Sequence, residues 1–409
     1  MRNPFRSWQF IRYALPGLPL AALGLPFYLY APLWLAEQAG YGYSIVGLVF
    51  FAARMTDVLS DLPAGAWIDR HGSHRALWLG AWLLIASSAL ALVYLPHPWP
   101  LPLLAGGLIL LMLGWTGITV PWLALPVNIS FSALDRLRYN SSREAMLLLG
   151  TLLAMVLPAI LAPAMLPLVL VLLLAVLLLT VCLQGSQAAP VTTRIIGFRV
   201  LLADQRLRSL ALPWFTNMLA NAIPGTVLIL FMREVLHAES ELPIVLISYF
   251  LAGLLGVPFW YFLARRIGTL WSWRIGLCSS ALLFSFAALL GEGDVAWFIA
   301  ISIGTGLALG ADQALPSAMQ TALAQTLSKE QGGAAIGARM FALWSMLSKA
   351  AMGLAVGVSY LWLGSQTDGA VPPAWAISAV YVVAPVALKL MVFLMLGRRS
   401  IVAIEGGGQ

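Results

Sequence analysis

Arg54, Asp57 and Asp61 are the residues of this sequence best placed to do chemistry. They stand in Ala53-Arg54-Met55-Thr56-Asp57-Val58-Leu59-Ser60-Asp61-Leu62-Pro63, inside a run otherwise apolar enough to cross a bilayer. Offsets of three, four and seven put them on one helical face. A charge near the bilayer centre costs roughly 2.5 to 3.5 kcal/mol, so three within two turns need partners, water or an ion. Asp57 and Asp61, one turn apart, repel by roughly 3 kcal/mol over ~6 Å at an effective dielectric of about 20. One must hold a proton, or both must share a cation. Arg54 can neutralise one carboxylate. Ser60 beside the acids, and Thr116 and Thr119 from another segment, offer the neutral oxygens that hard cations accept. The pattern reads as a site for a cation or a proton, with no other metal; a structural ion pair would need one acid and not two.

The elements that must position this site are membrane helices. Of 409 residues, 61% are hydrophobic and 10% charged, and the mean hydropathy is +0.90, where soluble domains carry about a quarter charged residues. Apolar runs of about twenty residues or more fall near 11–36, 44–68, 76–96, 101–126, 143–163, 166–184, 209–232, 243–264, 271–290, 295–320, 337–363 and 374–396. The expected fold is an all-α membrane protein of twelve transmembrane helices, spans 1 to 12. The polar stretch 185–208 reads as a linker between a six-helix half over 1–184 and a second over 209–396, with a tail at 397–409. Two echoes support duplication: Asp69-Arg70-His71-Gly72 after span 2 against Arg265-Arg266-Ile267-Gly268 after span 8, and Ala124-Leu125-Pro126 against Ala314-Leu315-Pro316. A solute would then lie at midplane between the halves.

All but four of the 23 Lys and Arg fall in the termini and the loops on one side of the twelve-span plan, or within the first four residues of a span on that side. The four are Arg233, in an acidic outer loop, and Arg54, Lys349 and Lys389 within spans. Both termini are expected to be cytoplasmic, in a multi-pass protein of the bacterial inner membrane. The formal charge of +7 is thereby topological, and no nucleic-acid partner is expected. Cys182 and Cys278 lie in apolar runs and frame no disulfide or zinc site.

Gly65-x-x-x-Asp69-Arg70-x-Gly72-x-His74-Arg75 resembles the loop signature after the second helix of the major facilitator superfamily. Its chemistry is legible: Gly65 permits close helix approach, Asp69 suits a neighbouring helix N-terminus, and Arg70 and Arg75 hold a gating loop at the cytoplasmic face. Within that superfamily the chain resembles the glycoside-pentoside-hexuronide:cation symporters. The carrying residues are Ala53-Arg54-x-x-Asp57-x-x-x-Asp61-Leu62-Pro63, Pro121-Trp122, Asp135-Arg136 to Arg143, Gly304-x-Gly306 to Leu315-Pro316, and Phe341-Ala342-Leu343-Trp344 to Lys349. The resemblance covers both halves. It implies sodium- or proton-coupled uptake, with the span 2 acids as cation ligands and Arg143 and Lys349 near the substrate. Sugar carriers of this type bear acids where this chain has Pro19 and Thr119, and others at the junction of spans 10 and 11, where it has Ala322-Leu323-Ala324-Gln325-Thr326-Leu327. A sugar is thus favoured by family and weakened by residue.

The remaining intramembrane polar groups are substrate-site candidates: Asp312 and Gln313 in span 10, Lys349 in span 11, Asn217 and Asn221 one turn apart in span 7, and Trp122 and Trp344, whose rings could stack on a solute. Lys349 lies too deep to snorkel and needs a counter-charge, from Asp57 or Asp61, from Asp312, or from the solute. Lys389 is expected to snorkel inward. Three functions remain open. A cation-coupled symporter of a small organic solute, working by alternating access, has the strongest support. A carrier or flippase for an amphipathic or lipid-like molecule follows from the lost acids. A membrane enzyme ranks last: no nucleophile stands beside a base, and His71, His74, His97 and His237 all lie in or near loops. The expected partners are a small-molecule substrate and the bilayer, with a monomeric chain and no cofactor beyond the coupling ion.

Overall fold

The computed structural model describes residues 4–29, 43–72, 77–85, 100–130, 132–160, 166–183, 197–366 and 372–397. The helices are α1 (Pro4–Ala14), α2 (Gly17–Leu29), α3 (Tyr43–His71), α4 (77–85), α5 (Leu101–Ile129), α6 (Ala133–Ile160), α7 (Leu166–Leu183), α8 (Phe198–Ala203), α9 (Gln205–Glu234), α10 (Leu242–Ile267), α11 (Thr269–Ser285), α12 (Val295–Glu330), α13 (Gly337–Ser365), α14 (Ala374–Ser378) and α15 (Ala384–Met395). A π-helical turn, Ala379–Val383, joins α14 to α15. Among the described residues, six helical segments are long and apolar enough to cross a membrane, from Pro102–Val127 to Ala374–Met395. The 29 residues of α3 span about 43 Å at 1.5 Å per residue.

By packing, the chain falls into two compact units, each drawing on several stretches of sequence. The first gathers Met1–Ser130, Leu149–Phe198 and Ala324–Met346. In it α3 lies along α5. Ile68, Val120, Ala124, Ala338, Phe341 and Ala342 form one of its cores. Gly65 makes that core possible: a Cβ there would stand 2.5 Å from Ala342 Cβ and 2.9 Å from the Ala338 carbonyl oxygen, so a larger residue would push α13 away.

The second unit gathers Phe131–Leu148, Arg199–Leu323 and Leu347–Gln409. α15 packs on α9 and α11, and Phe231 stacks on Tyr381 at 4.2 Å beside Phe298. α12 is drawn close to α11 because Gly276 faces Ala311: a Cβ on Gly276 would come within 2.7 Å of the alanine's own. That approach sets Asp312, the next residue on α12, against α11. The two halves of the sequence also share a helix ending. Gly72 and Gly268, at φ of 91° and 89°, donate their N–H groups to Ile68 and Ala264, closing α3 and α10 in the same way. The echo read from the sequence is therefore a pair of glycines at positive φ, each closing its helix with a hydrogen bond to the carbonyl four residues back.

Candidate functional site

In the first unit the acids of α3 meet α5. Asp57 and Asp61 are both buried. The Thr116 hydroxyl lies 3.0 Å from Asp57 Oδ1 and 3.2 Å from Asp61 Oδ1, which keeps the two oxygens within about 6 Å of each other. A hydroxyl carries one proton. Thr116 can share it between the two carboxyls in a three-centre bond, or donate to one while the other is protonated and donates in turn, or leave its lone pairs to a cation held with a carboxylate. The other neutral oxygens are turned to the backbone: Ser60 Oγ donates to the Asp57 carbonyl at 3.1 Å and Thr119 Oγ1 to the Trp115 carbonyl at 2.9 Å. Arg54 belongs to α3, but its side chain lies outside the described residues.

The end of α3 is tied to α13. Asp69 accepts the backbone N–H groups of Ala338 and Arg339 at 3.1 and 3.2 Å, and its Oδ2 lies 3.1 Å from Arg339 Nη1. A carboxylate is thereby placed on a helix N-terminus, where the dipole favours it. Asp69 follows span 2. Burial raises its carboxyl to about 7, against the lowering pull of the Arg339 charge and the two backbone N–H groups. Arg70 is exposed and Arg75 lies outside the described residues.

The second unit holds a different cluster. Asp312 on α12 accepts from three donors: Lys389 Nζ of α15 at 2.5 Å, Trp273 Nε1 of α11 at 3.2 Å, and Asn221 Nδ2 of α9 at 3.4 Å. Lys389 Nζ also lies 3.5 Å from Asn217 Oδ1. Asp312 and Lys389 are only 2% and 6% exposed. Lys389 therefore does not snorkel, and the partner of Asp312 is this lysine and not Lys349. Gln313 and Lys349 are half-buried. Arg143 is buried with its Nη2 2.6 Å from the neighbouring Glu144. Trp344 and Trp122 are buried; Trp122 donates its indole N–H to the Tyr13 carbonyl at 2.7 Å.

The structure thus brings together Asp57, Asp61 and Thr116, and separately Asn217, Asn221 and Asp312. Sequence reasoning missed Lys389, Trp273 and Arg339. An acid buried mid-helix demands a cation, so the demand of Asp312 was visible; which lysine meets it was not. The described residues contain no group of three or more His, Cys, Asp or Glu side chains able to hold a metal ion.

The family described as MFS/sugar transport protein matches residues 12–402. Among curated proteins none matches the sequence. Of solved structures, a bacterial homologue of the iron transporter ferroportin in an outward-facing state is similar at TM-score 0.75 and 15% identity, over 95% of this chain and 98% of that one. The E. coli fucose:proton symporter is similar at TM-score 0.69 and 14% identity, over 95% and 99%. The human organic anion transporter MFSD10 follows at TM-score 0.67 and 16% identity, over 97% and 100%. At these identities the likeness is one of fold: an all-α, multi-pass membrane protein of twelve helices in two pseudo-repeated halves. By family match over nearly its whole length, the chain belongs to the MFS/sugar transport proteins, a family of membrane transporters and not of enzymes.

Proposed function

We propose that the protein is a secondary active transporter that couples inward movement of Na+ or H+ to symport of a small organic solute, a sugar or glycoside being the favoured class, by alternating access. The observation that carries this reading is the Thr116 hydroxyl shared by two buried carboxyls. Two buried carboxyls that converge on one hydroxyl repel each other when both are ionised, and a proton or a sodium ion between them relieves that repulsion. Binding the cation removes the repulsion that an ionised pair would suffer, so an occupied site favours a different balance of states from an empty one. The relatives by fold include a proton symporter of a sugar, which supports the same class.

On this reading Asp57, Asp61 and Thr116 hold the coupling ion, and Gly65, Asp69, Arg70 and Arg75 belong to a gate at the cytoplasmic face. Arg143, Lys349, Asp312, Gln313, Asn217, Asn221 and Trp344 supply the solute-facing groups or their supports. Trp122, whose indole N–H is already engaged, serves packing. The protein works as a monomer in a bacterial inner membrane with both termini inside.

The test is accumulation of labelled sugars and glycosides in proteoliposomes under an imposed sodium or proton gradient. Asp57→Asn and Asp61→Asn should each abolish gradient-driven accumulation while the protein still folds and inserts. Unchanged accumulation in both variants would refute the assignment.

A further inference from the structure

The cluster in the second unit has a surplus of hydrogen-bond donors. Asp312 is supplied three times over, by Lys389, Trp273 and Asn221. Lys389 carries three N–H bonds and directs them at two acceptors, Asp312 and Asn217 Oδ1. Asn217 is fully buried at 0% exposure, and its Nδ2 has no hydrogen-bond partner among the described residues. Its amide cannot simply be turned over, because that would set two N–H donors against an ammonium group. Oδ1 must face Lys389, and Nδ2 is left as a buried donor in want of an acceptor.

Charge decides what kind of acceptor fits. Asp312 and Lys389 cancel, and Trp273, Asn217 and Asn221 are neutral. Tyr249 of α10, which is in electrostatic contact with Asp312, adds no charge while its phenol is protonated. An anion brought beside Asn217 would be an uncompensated buried charge, whereas an uncharged oxygen would complete the donors at no electrostatic cost. Asn221, one turn further along the same face of α9, is half-buried, unlike Asn217.

We infer that Asn217 Nδ2 and Lys389 Nζ form a binding site for an uncharged acceptor oxygen, a hydroxyl or carbonyl, of the transported solute, with Asp312 acting as the positioning residue that holds the ammonium in place. This rests on the reading of the chain as a carrier of a small organic solute. It does not depend on the Asp57–Asp61 cation site. It also inverts the recognition used by sugar carriers that rely on carboxylates: the solute is held here by donors.

The experiment is ligand-induced thermal stabilisation of the purified full-length protein in detergent. The probes are neutral hexoses and disaccharides, their uronic acids, and small neutral amides. At least one neutral probe should raise the unfolding midpoint, with its uronic acid weaker by tenfold or more. Asn217→Leu should weaken the neutral probe by tenfold or more and erase the preference over the acid. Asn217→Ser, which keeps a shorter donor, should also lose affinity while remaining folded, and it replaces the leucine variant if that one does not fold. Stabilisation by uronic acids alone, by no probe, or with unchanged affinity in the Asn217 variants would overturn the inference. The last result would mean that the amide serves only a structural water. Binding is measured without any gradient, so loss of coupled uptake in Asp57→Asn leaves this result untouched and tests only the cation reading.

Discussion

Removing one member of the Asp312–Lys389 pair should cost far more than removing both. At 2.5 Å two unit charges attract by roughly 7 kcal/mol at an effective dielectric of about 20, most of which is offset by taking both ions out of water. The pair as a whole therefore contributes little, while each half alone is a buried, uncompensated charge worth about 3–5 kcal/mol. The two single variants are not equivalent. In Lys389→Met the carboxylate keeps Trp273 and Asn221 as donors, which places its cost near about 3 kcal/mol. In Asp312→Asn the ammonium keeps only Asn217 Oδ1 and can face the new amide's own donors, which places the cost near about 5 kcal/mol. These costs raise the unfolded fraction by roughly two to three and a half orders of magnitude. The double variant should cost no more than the milder single one. Equilibrium unfolding in mixed micelles followed by tryptophan fluorescence measures all four proteins, and Trp273 is a reporter bonded to the pair itself. Stability should return in the double variant without solute affinity, because the Lys389 donor is gone. Costs that simply add would refute the reasoning, since they would show that the two charges do not depend on each other.

Two further outcomes follow from the first unit and from the distribution of charge. The Asp69 carboxyl is held at about 7 in the folded protein, above its ordinary value of about 3.9. The native state therefore binds the proton more tightly, and the stability Asp69 contributes falls as pH rises from about 4 to about 7 and is level above. Asp69→Asn should abolish that slope, as read from unfolding midpoints taken across the window; a wild-type protein that gains on the variant with rising pH would contradict it. Reporter fusions after Arg206 should score cytoplasmic and fusions after Glu239 external, because nearly all Lys and Arg are on one side of the helix plan; the reverse pattern would overturn the orientation and the direction of transport drawn from it.

What could be read from the sequence was whatever repeats along a single helix. The apolar runs gave the spans, and the offsets of Asp57 and Asp61 gave one face. Thr116 and Thr119 differ by three residues on α5, yet only Thr116 reaches the acids, while Thr119 turns to Trp115. Period alone could not separate them, because the rotation of α5 against α3 decides which of two neighbouring positions faces across. The partner of Asp312 was hidden more deeply. Lys389 lies seven residues from the end of its expected span, which made snorkelling the natural reading. The π-helical turn at Ala379–Val383 takes up an extra residue and so rotates everything after it by about a quarter turn relative to a regular helix. Extrapolating α14 through that turn would put Lys389 on the wrong face. Arg339 was hidden for another reason: it pairs with Asp69 across 270 positions of sequence, a contact no local pattern encodes.

The two polar clusters differ in sign, and the difference bears on how a coupled carrier could divide its work. Around Asp57 and Asp61 two buried carboxyls converge on one hydroxyl, the arrangement on which the proposed cation site rests. Around Asp312 the charges already cancel and the unsatisfied groups are donors, so that site has no call for a cation and draws a neutral acceptor. A cation at the second cluster would meet an ammonium group; a neutral hydroxyl at the first would do nothing to offset the repulsion of two neighbouring carboxylates. On the proposed assignments, each ligand would be disfavoured at the other's site by the same electrostatics that favours it at its own. A carrier built this way needs no acid that serves ion and solute together. That fits a chain with proline at one and threonine at another of the positions where related sugar carriers bear carboxylates.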